Sequence, residues 1–267
     1  MEDAVLHTAA EELAAAYTSG VPVEPLSERL PELTLHDAYR VQVLQVQRWR
    51  GAGARVKGHK VGLTSAAMRA QLGVDQPDYG HLLDAMFHLE HLPIATGAFL
   101  QPRVEPEIAF VLKRPLAGPG ITAAEAAAAV DFVLPALEII DSRVRDWRIS
   151  LIDTVADNAS CGGVVLGSRP VPLSAVDLRR IAATLRRNGA DVGAGVGGAV
   201  LGTPLNALVW LANTLGELGV TLEEGHVVLP GSVTAAVAVA PGDRVSADFD
   251  DVGDVTAVFA HAEGETV

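Results

Sequence analysis

The 267-residue sequence lacks several features that mark specialised classes of protein. It has one cysteine, Cys161, so no disulfide can form within the chain, and a reducing compartment suits it. No apolar run reaches the ~18 residues of a membrane span. The first residues, MEDAVLHTAAEELAAAY, are acidic and amphipathic, unlike a secretory signal. We therefore expect a cytoplasmic protein without a membrane segment.

Positive charge is also scarce. The chain has 20 lysines and arginines against 33 aspartates and glutamates, and its only lysines are Lys57, Lys60 and Lys113. A net charge of -13 argues against nucleic-acid binding, which needs a basic face. An anionic ligand would therefore depend on local positive charge. Apolar residues make up 49% of the chain, enough to form a large core. The high apolar content and the small number of lysines also suggest contacts between the subunits of a homo-oligomer.

The pattern along the chain predicts an α+β fold. Residues 1–55 read as a helical N-terminal portion, with a capping box at Thr34 and Asp37, and residues 56–267 as a β-rich catalytic domain. The two parts could equally count as one domain. Strands are predicted at residues 104–112 and in FVLPALEII, and a later helix begins at Thr203 and Pro204. No regular alternation of strands and helices is present, which disfavours a parallel doubly wound sheet.

The segment RVEPEIAFVL places two carboxylates on one face of a predicted strand. Glu105 and Glu107 are two residues apart, hence about 7 Å apart along the strand. Glu138, in ALEII, alternates with Leu134 and Ala136 and so faces an apolar interior. Three carboxylates converging there would suit Mg²⁺ or Mn²⁺. The spacing alone equally allows a solvated glutamate pair, with Glu138 paired to an arginine such as Arg143.

The stretch GHKVGLTS contains a lysine in an unusual setting. Lys60 lies between glycines and apolar residues of a predicted strand. If buried, it could have a lowered pKa and transfer protons, or stay cationic and bind an anion. A lysine on an edge strand that extends its amine to water is the more ordinary interpretation of the sequence alone.

Together, GHKVGLTS, LGVDQPDYG, EPEIAFVL, ALEIIDSR and DTVADNASCG resemble, in this order and spacing, the 2-keto-4-pentenoate hydratases. These form part of the hydratase/decarboxylase branch of the fumarylacetoacetate hydrolase superfamily. The resemblance runs from about residue 5 to residue 260. It implies a mixed β-sheet roll with peripheral helices around the active site.

The resemblance also implies roles for individual residues. The residues that bind Mg²⁺ or Mn²⁺ in this family match Glu105, Glu107 and Glu138. Its active-site lysine matches Lys60, its acid in the Pro-Asp-Tyr-Gly turn matches Asp78, and Ser160 of DNASCG lies where the family contacts substrate. Lys60 and Asp78 are candidate proton carriers, and the sequence does not divide the acid from the base.

The implied reaction is the metal-dependent hydration of a small anionic 2-hydroxydienoate, 2-hydroxypenta-2,4-dienoate or a close homologue, to 4-hydroxy-2-oxopentanoate. Such a reaction belongs to the catabolism of aromatic or steroid-ring compounds, and association with a downstream aldolase fits it. One alternative is a metal-dependent decarboxylase of 4-oxalocrotonate. A different class of alternative is a non-catalytic, metal-holding subunit of a catabolic complex.

Overall fold

A computed structural model describes residues 1–260, with the backbone alone for Met68, Gln71 and Leu72. Its α-helices are α1 (Asp3–Ser19), α2 (Leu26–Arg29), α3 (Leu35–Gly51), α4 (Ala66–Leu72), α5 (Ala123–Ala129), α6 (Leu151–Ala156) and α7 (Pro204–Glu217). Its strands are β1 (Val56–Gly62), β2 (Asp78–Leu83), β3 (Phe87–His88), β4 (Pro93–Ala95), β5 (Arg103–Leu112), β6 (Val130–Ile140), β7 (Cys161–Leu166), β8 (Val171–Pro172), β9 (Ala182–Arg187), β10 (Ala190–Val196), β11 (Val227–Leu229), β12 (Val237–Ala238), β13 (Arg244–Phe249) and β14 (Gly253–Ala260).

The strands form two mixed sheets. The larger sheet has nine strands, in the order β2-β1-β11-β5-β6-β7-β3, with β12 paired to β5 and β8 paired to β6. The smaller sheet has five strands, in the order β10-β9-β13-β14-β4. Parallel pairs, such as β1 with β11, occur beside the antiparallel pairing of β5 with β6. The predicted α+β class with mixed sheets is confirmed.

Local sequence signals explain where several helices begin. The predicted capping box is present at the start of α3, where the Thr34 side chain accepts a hydrogen bond from the Asp37 N–H group. A second box, which the sequence did not lead us to expect, opens α6 with Ser150 and Asp153. Each box provides partners for backbone N–H groups that the first turn of a helix leaves free.

The helical N-terminal portion has its own apolar core. One face of α1 buries Leu6 and Leu13 completely against α2, α3 and α6. Burial of each such side chain contributes roughly 1.5–3 kcal/mol of transfer free energy. The predicted division into residues 1–55 and 56–267 stays a prediction.

Apolar residues on one face of the larger sheet pack against the smaller sheet and α7. This main core contains Ile108, Phe110 and Leu137, all at most 1% exposed. The opposite face of β5 and β6 carries the candidate site residues. Further along the same face lies a smaller apolar cluster that includes Ala109 and Ala136. Among the described helices, none is long and apolar enough to cross a membrane.

Candidate metal and active site

The pairing of β5 with β6 brings the three predicted metal ligands together. Glu105 lies directly opposite Glu138, and Glu107 follows two residues later on the same face of β5. One oxygen from each of the three carboxylates can be chosen so that all lie within 4.8 Å of one another. The predicted convergence of the three acids is therefore present in the fold.

Two of these carboxylates, those of Glu107 and Glu138, are buried and incompletely hydrogen-bonded. Glu107 is 0% exposed and Glu138 is 1% exposed. Glu107 Oε2 accepts a hydrogen bond of 2.6 Å from the Gly231 N–H group. Within the described part of the chain, Glu107 Oε1 and both carboxylate oxygens of Glu138 have no hydrogen-bond donor. Because buried charged oxygens without partners cost several kcal/mol, this set of donors fits a hard divalent cation.

The protonation equilibria reflect the crowding of these acids. Burial, and then the Glu138 carboxylate, raises the pKa of Glu105 to about 7. Burial and the other two carboxylates also raise the pKa of Glu107 well above its ordinary value. Like-charged groups in a poorly solvated site cannot all ionise without a compensating cation. A bound divalent ion would supply that compensation.

Lys60 is buried beside the acids and is not a lysine that extends to water. It is 5% exposed, and its Nζ lies 3.4 Å from Glu138 Oε1, an ion-pair contact without good hydrogen-bond geometry. Burial alone would lower the pKa of Lys60, but Glu138 and the other nearby acids outweigh it, so the net shift of the pKa is upward. In the metal-free protein, Lys60 therefore holds its proton and is cationic, so it can act as a proton donor.

The side chains of Asp78 and Lys60 both lie next to Gly62. The pairing of β1 with β2 sets Asp78 opposite Gly62 and Lys60 opposite Gly80. A side chain at Gly62 would contact both the Asp78 carboxylate and the Lys60 ammonium group, so the lack of one leaves room for the pair. Burial raises the pKa of Asp78 in spite of the neighbouring Lys60. This aspartate therefore retains a proton more readily than a solvated one does.

Ser160 lies in a turn with an unusual backbone. Asn158, Ala159 and Ser160 all have φ between 52° and 56°, the left-handed region that non-glycine residues rarely adopt. The Asn158 side chain both accepts from the His81 N–H group at 2.8 Å and donates to the His81 carbonyl at 2.9 Å. Ser160 is 4% exposed, and its hydroxyl lies 3.2 Å from that of Thr154. Strain of this kind persists only where surrounding contacts hold it, which is common at functional sites.

The pairing of Glu138 with Arg143, which the sequence allowed, does not occur. Arg143 Nε instead donates to Asp157 Oδ1 at 2.6 Å, and its guanidinium lies 4.1 Å from the centre of the Tyr17 ring. Glu138 faces Lys60. Glu138 is therefore not part of a salt bridge with Arg143, which was the alternative to a metal-binding role.

Three features of the site were not found from the sequence. Gly231 supplies an N–H group to Glu107 from a segment far away in the chain. Its φ of 119°, together with the contact that any side chain there would make with Thr64, requires glycine. Asp157 holds Arg143, and Arg103 stacks on Trp147. The glycine and the aspartate lie in PGS and ADNAS, where only their loop-like composition could have drawn attention to them.

Comparison with known proteins places these features in a family. The family model "Fumarylacetoacetate (FAA) hydrolase C-terminal" matches residues 65–260. A 2-keto-4-pentenoate hydratase of Paraburkholderia xenovorans is 46% identical over 251 residues, which cover 94% of this chain and 93% of that protein. A 2-hydroxyhexa-2,4-dienoate hydratase of Comamonas testosteroni is 40% identical over 95% of this chain and 97% of its own length.

A solved structure is also similar throughout. The 4-oxalocrotonate decarboxylase from Pseudomonas putida G7, complexed with magnesium and adipate, superposes with a TM-score of 0.94 and is 37% identical, over 97% of this chain and 98% of that one. The five sequence motifs, the sheet topology and these relatives all indicate the same family. The chain belongs to the fumarylacetoacetate hydrolase family, among its 2-keto-4-pentenoate hydratases.

Proposed function

We propose that this protein is a hydro-lyase that adds water to 2-hydroxypenta-2,4-dienoate, or a close homologue, and yields 4-hydroxy-2-oxopentanoate. The observation that carries the proposal is the convergence of three carboxylates, two of them fully buried with unsatisfied oxygens, beside Lys60 and Asp78. The names of the relatives support the same substrate class, including a 2-hydroxypent-2,4-dienoate hydratase of Pseudomonas putida that is 44% identical.

Glu105, Glu107 and Glu138 are the proposed ligands of Mg²⁺ or Mn²⁺. A metal ion bound there would polarise the 2-oxo oxygen of the substrate and stabilise negative charge on it. Glu107 is held in place by the Gly231 N–H group, and Glu138 by its position in the middle of the larger sheet. These two side chains thus need little reorganisation to bind a cation.

Lys60 and Asp78 are the proposed proton carriers. The reaction needs a proton delivered to C5 as the 2-hydroxyl group loses its own, and then a proton removed from the water that adds at C4 while C3 gains a proton. Asp78, with its raised pKa, can hold a proton in the buried site, while cationic Lys60 balances the acids around it. Ser160, in its strained turn, is the proposed hydrogen-bonding contact to the substrate.

An ultraviolet assay tests the proposal. The diene absorbance of 2-hydroxypenta-2,4-dienoate should disappear in the presence of protein and Mg²⁺, and should persist when a chelator removes the metal. Absence of turnover with several dienoates, by folded and metal-loaded protein, would refute the proposal and favour the non-catalytic subunit.

Two substitutions separate the proton carriers from the metal ligands. Lys60→Met and Asp78→Asn should each lower kcat by about 100-fold or more while metal binding is retained, since general acid–base catalysis contributes 10²–10⁴-fold. Retention of full activity by both variants would refute the assigned roles.

The alternative reaction is decarboxylation of 4-oxalocrotonate, and the similarity to the magnesium- and adipate-bound decarboxylase favours keeping it. Release of CO₂ from 4-oxalocrotonate, faster than hydration of the pentadienoate, would establish this alternative. Both reactions would use the same metal-binding acids, so the substrate comparison decides between them.

We further propose a cytoplasmic homo-oligomer that associates with an aldolase. The product carries a hydroxyl group β to its keto group, which is the arrangement that an aldolase cleaves. Sedimentation of the purified protein, alone and with such an aldolase, tests both associations, and a monomer that sediments independently of the aldolase would contradict them.

A further inference from the structure

Exposure rises along β5 towards its first residue. Glu107 is completely buried, whereas Glu105 and then Arg103, each two residues earlier on the same face, are partly exposed. The acidic site therefore opens towards solvent at the Arg103 end of the strand. A substrate that approaches the three carboxylates from this end passes the Arg103 side chain.

The Arg103 side chain is held by an aromatic ring. Its guanidinium carbon lies 4.4 Å from the centre of the Trp147 ring, which is a cation–π contact. The indole Nε1–H of Trp147 donates to the Gln101 carbonyl at 3.0 Å, which fixes the ring. Asp146 and Trp147 both have left-handed backbones, with φ values of 56° and 55°. The chain thus adopts a strained turn where the ring supports the guanidinium.

Arg103 differs from the arginines near it. Arg143, Arg145 and Arg148 each have a carboxylate oxygen within hydrogen-bond distance, at 2.6, 2.6 and 2.9 Å. For Arg103, no ion pair and no side-chain hydrogen bond is found among the residues that the structure describes. Stacking on Trp147 uses one face of the guanidinium and leaves its N–H edge available. Such an edge matches a carboxylate in a two-pronged arrangement.

We propose that Arg103 is a substrate-binding residue that binds a carboxylate group of the substrate at the open end of the site. This inference rests on the proposed function, because it assumes a small carboxylate ligand above the metal-binding acids. It also supplies the local positive charge that an anionic substrate needs in a chain of net charge -13. Trp147 is the positioning residue that keeps the guanidinium oriented.

Calorimetric titration of Mg²⁺-loaded protein with unreactive oxo acids tests the inference. The probes are 2-oxopentanoate, with one carboxylate, and 2-oxoadipate, with a second carboxylate at its far end. Arg103→Met should weaken the binding of 2-oxopentanoate by about tenfold or more, as expected for a lost charge-assisted hydrogen bond. Its affinity for Mg²⁺ should not fall, because Arg103 is a cation and not a metal ligand. A loss confined to 2-oxoadipate would also support Arg103 as the carboxylate-binding residue, and would place the bound group at the end remote from the metal.

Two variants control for charge and for folding. Arg145→Met removes the same charge from the neighbouring turn, but its guanidinium already pairs with Glu24, so ligand affinity should not change. Arg103→Lys keeps the charge and loses the two-pronged edge, so it should fold normally and show a smaller loss than Arg103→Met.

Unchanged affinity of folded Arg103→Met and Arg103→Lys for both oxo acids would overturn the inference and leave Arg103 a structural residue. Failure of the unaltered protein to bind Mg²⁺ would instead refute the proposed function, and this inference with it.

Discussion

Two groups of charged side chains are buried near the end of β6, and they differ in how their polar atoms are satisfied. In the arginine cluster, Arg143 donates to Asp157 Oδ1 at 2.6 Å and to the carbonyl of Cys161 at 3.0 Å. Asp141 accepts from the backbone N–H groups of Leu100 and Gln101, just before β5. In the acidic cluster, formed by Glu105, Glu107 and Glu138, three carboxylate oxygens have no hydrogen-bond donor within residues 1–260.

This difference separates a structural role from a binding role. Both clusters bear the cost of removing charge from water. The buried side-chain polar atoms of the arginine cluster have partners within the described chain, so this cluster needs no further ligand. The acidic cluster lacks such partners, because Lys60 is a single cation beside three carboxylates. A buried group of charges that the chain leaves incomplete is therefore the stronger sign of a ligand than burial or charge alone.

The largest effect is expected where the satisfied cluster is broken. Arg143→Met would leave Asp157 buried without its partner, which should lower the free energy of unfolding by about 3–5 kcal/mol. Denaturant unfolding of the metal-free protein measures this loss. A loss below about 1 kcal/mol would show that the arginine cluster is less important to stability than its contacts indicate.

The pH dependence of stability should show that charge on the acidic cluster destabilises the metal-free protein. The pKa of Glu105 is raised from 4.5 to about 7, so the folded protein binds more protons than the unfolded chain between these values. Stability of the metal-free protein should therefore fall as pH rises through this window, by roughly 2 kcal/mol after allowance for the solvent that reaches Glu105. Thermal unfolding in chelator at a series of pH values measures it.

A variant isolates this effect from the buried histidines. Burial lowers the pKa of His59 and of His81 below 6.5, and such groups give stability that rises with pH. The difference between the unaltered protein and Glu105→Gln removes their contribution. An equal pH dependence in both proteins would contradict the raised pKa of Glu105.

Removal of one acid should stabilise the metal-free protein. Glu107→Gln relieves repulsion with two carboxylates, and its side-chain oxygen can still accept from the Gly231 N–H group. We expect a gain of about 1 kcal/mol in the absence of metal, because removal of a buried, uncompensated charge is stabilising by that order. Chemical unfolding at pH 8 checks the sign. A destabilisation like that of Arg143→Met would mean that the acidic cluster is structural after all.

The smallest effect is expected for a pair with the same geometry at the surface. Arg145 Nε lies 2.6 Å from Glu24 Oε1, as close as Arg143 lies to Asp157, but both side chains are more than 40% exposed. Solvent and salt screen such a pair. Glu24→Gln should leave the unfolding midpoint almost unchanged. A shift as large as that of Arg143→Met would show that distance, and not burial, determines the strength of these pairs.

Sequence patterns predicted the parts of the molecule that depend on neighbours in the chain. The capping box at Thr34, the strand that carries Glu105 and Glu107, and the α+β class follow from short periodicities and turn residues. The three acids were predicted as a set only with the help of the family resemblance, because spacing alone left them open between solvent and metal.

The remaining features depend on contacts between distant segments. The Gly231 N–H group donates to Glu107, which is 124 residues away in the sequence. Arg143 pairs with Asp157 instead of Glu138, and this choice depends on where β6 ends. The cation–π contact of Arg103 with Trp147 likewise joins the start of β5 to the turn that follows β6. Local patterns carry no information about such pairings, which are set by the packing of the sheet.

Titration of metal-free protein with Mn²⁺ and with Mg²⁺ in a calorimeter tests the central claim most directly. The unaltered protein should bind one divalent ion per chain, and Glu138→Gln should reduce the affinity at least tenfold while Glu24→Gln leaves it unchanged. Equal affinity of the unaltered protein and Glu138→Gln would contradict the assignment of the acidic cluster as a metal site.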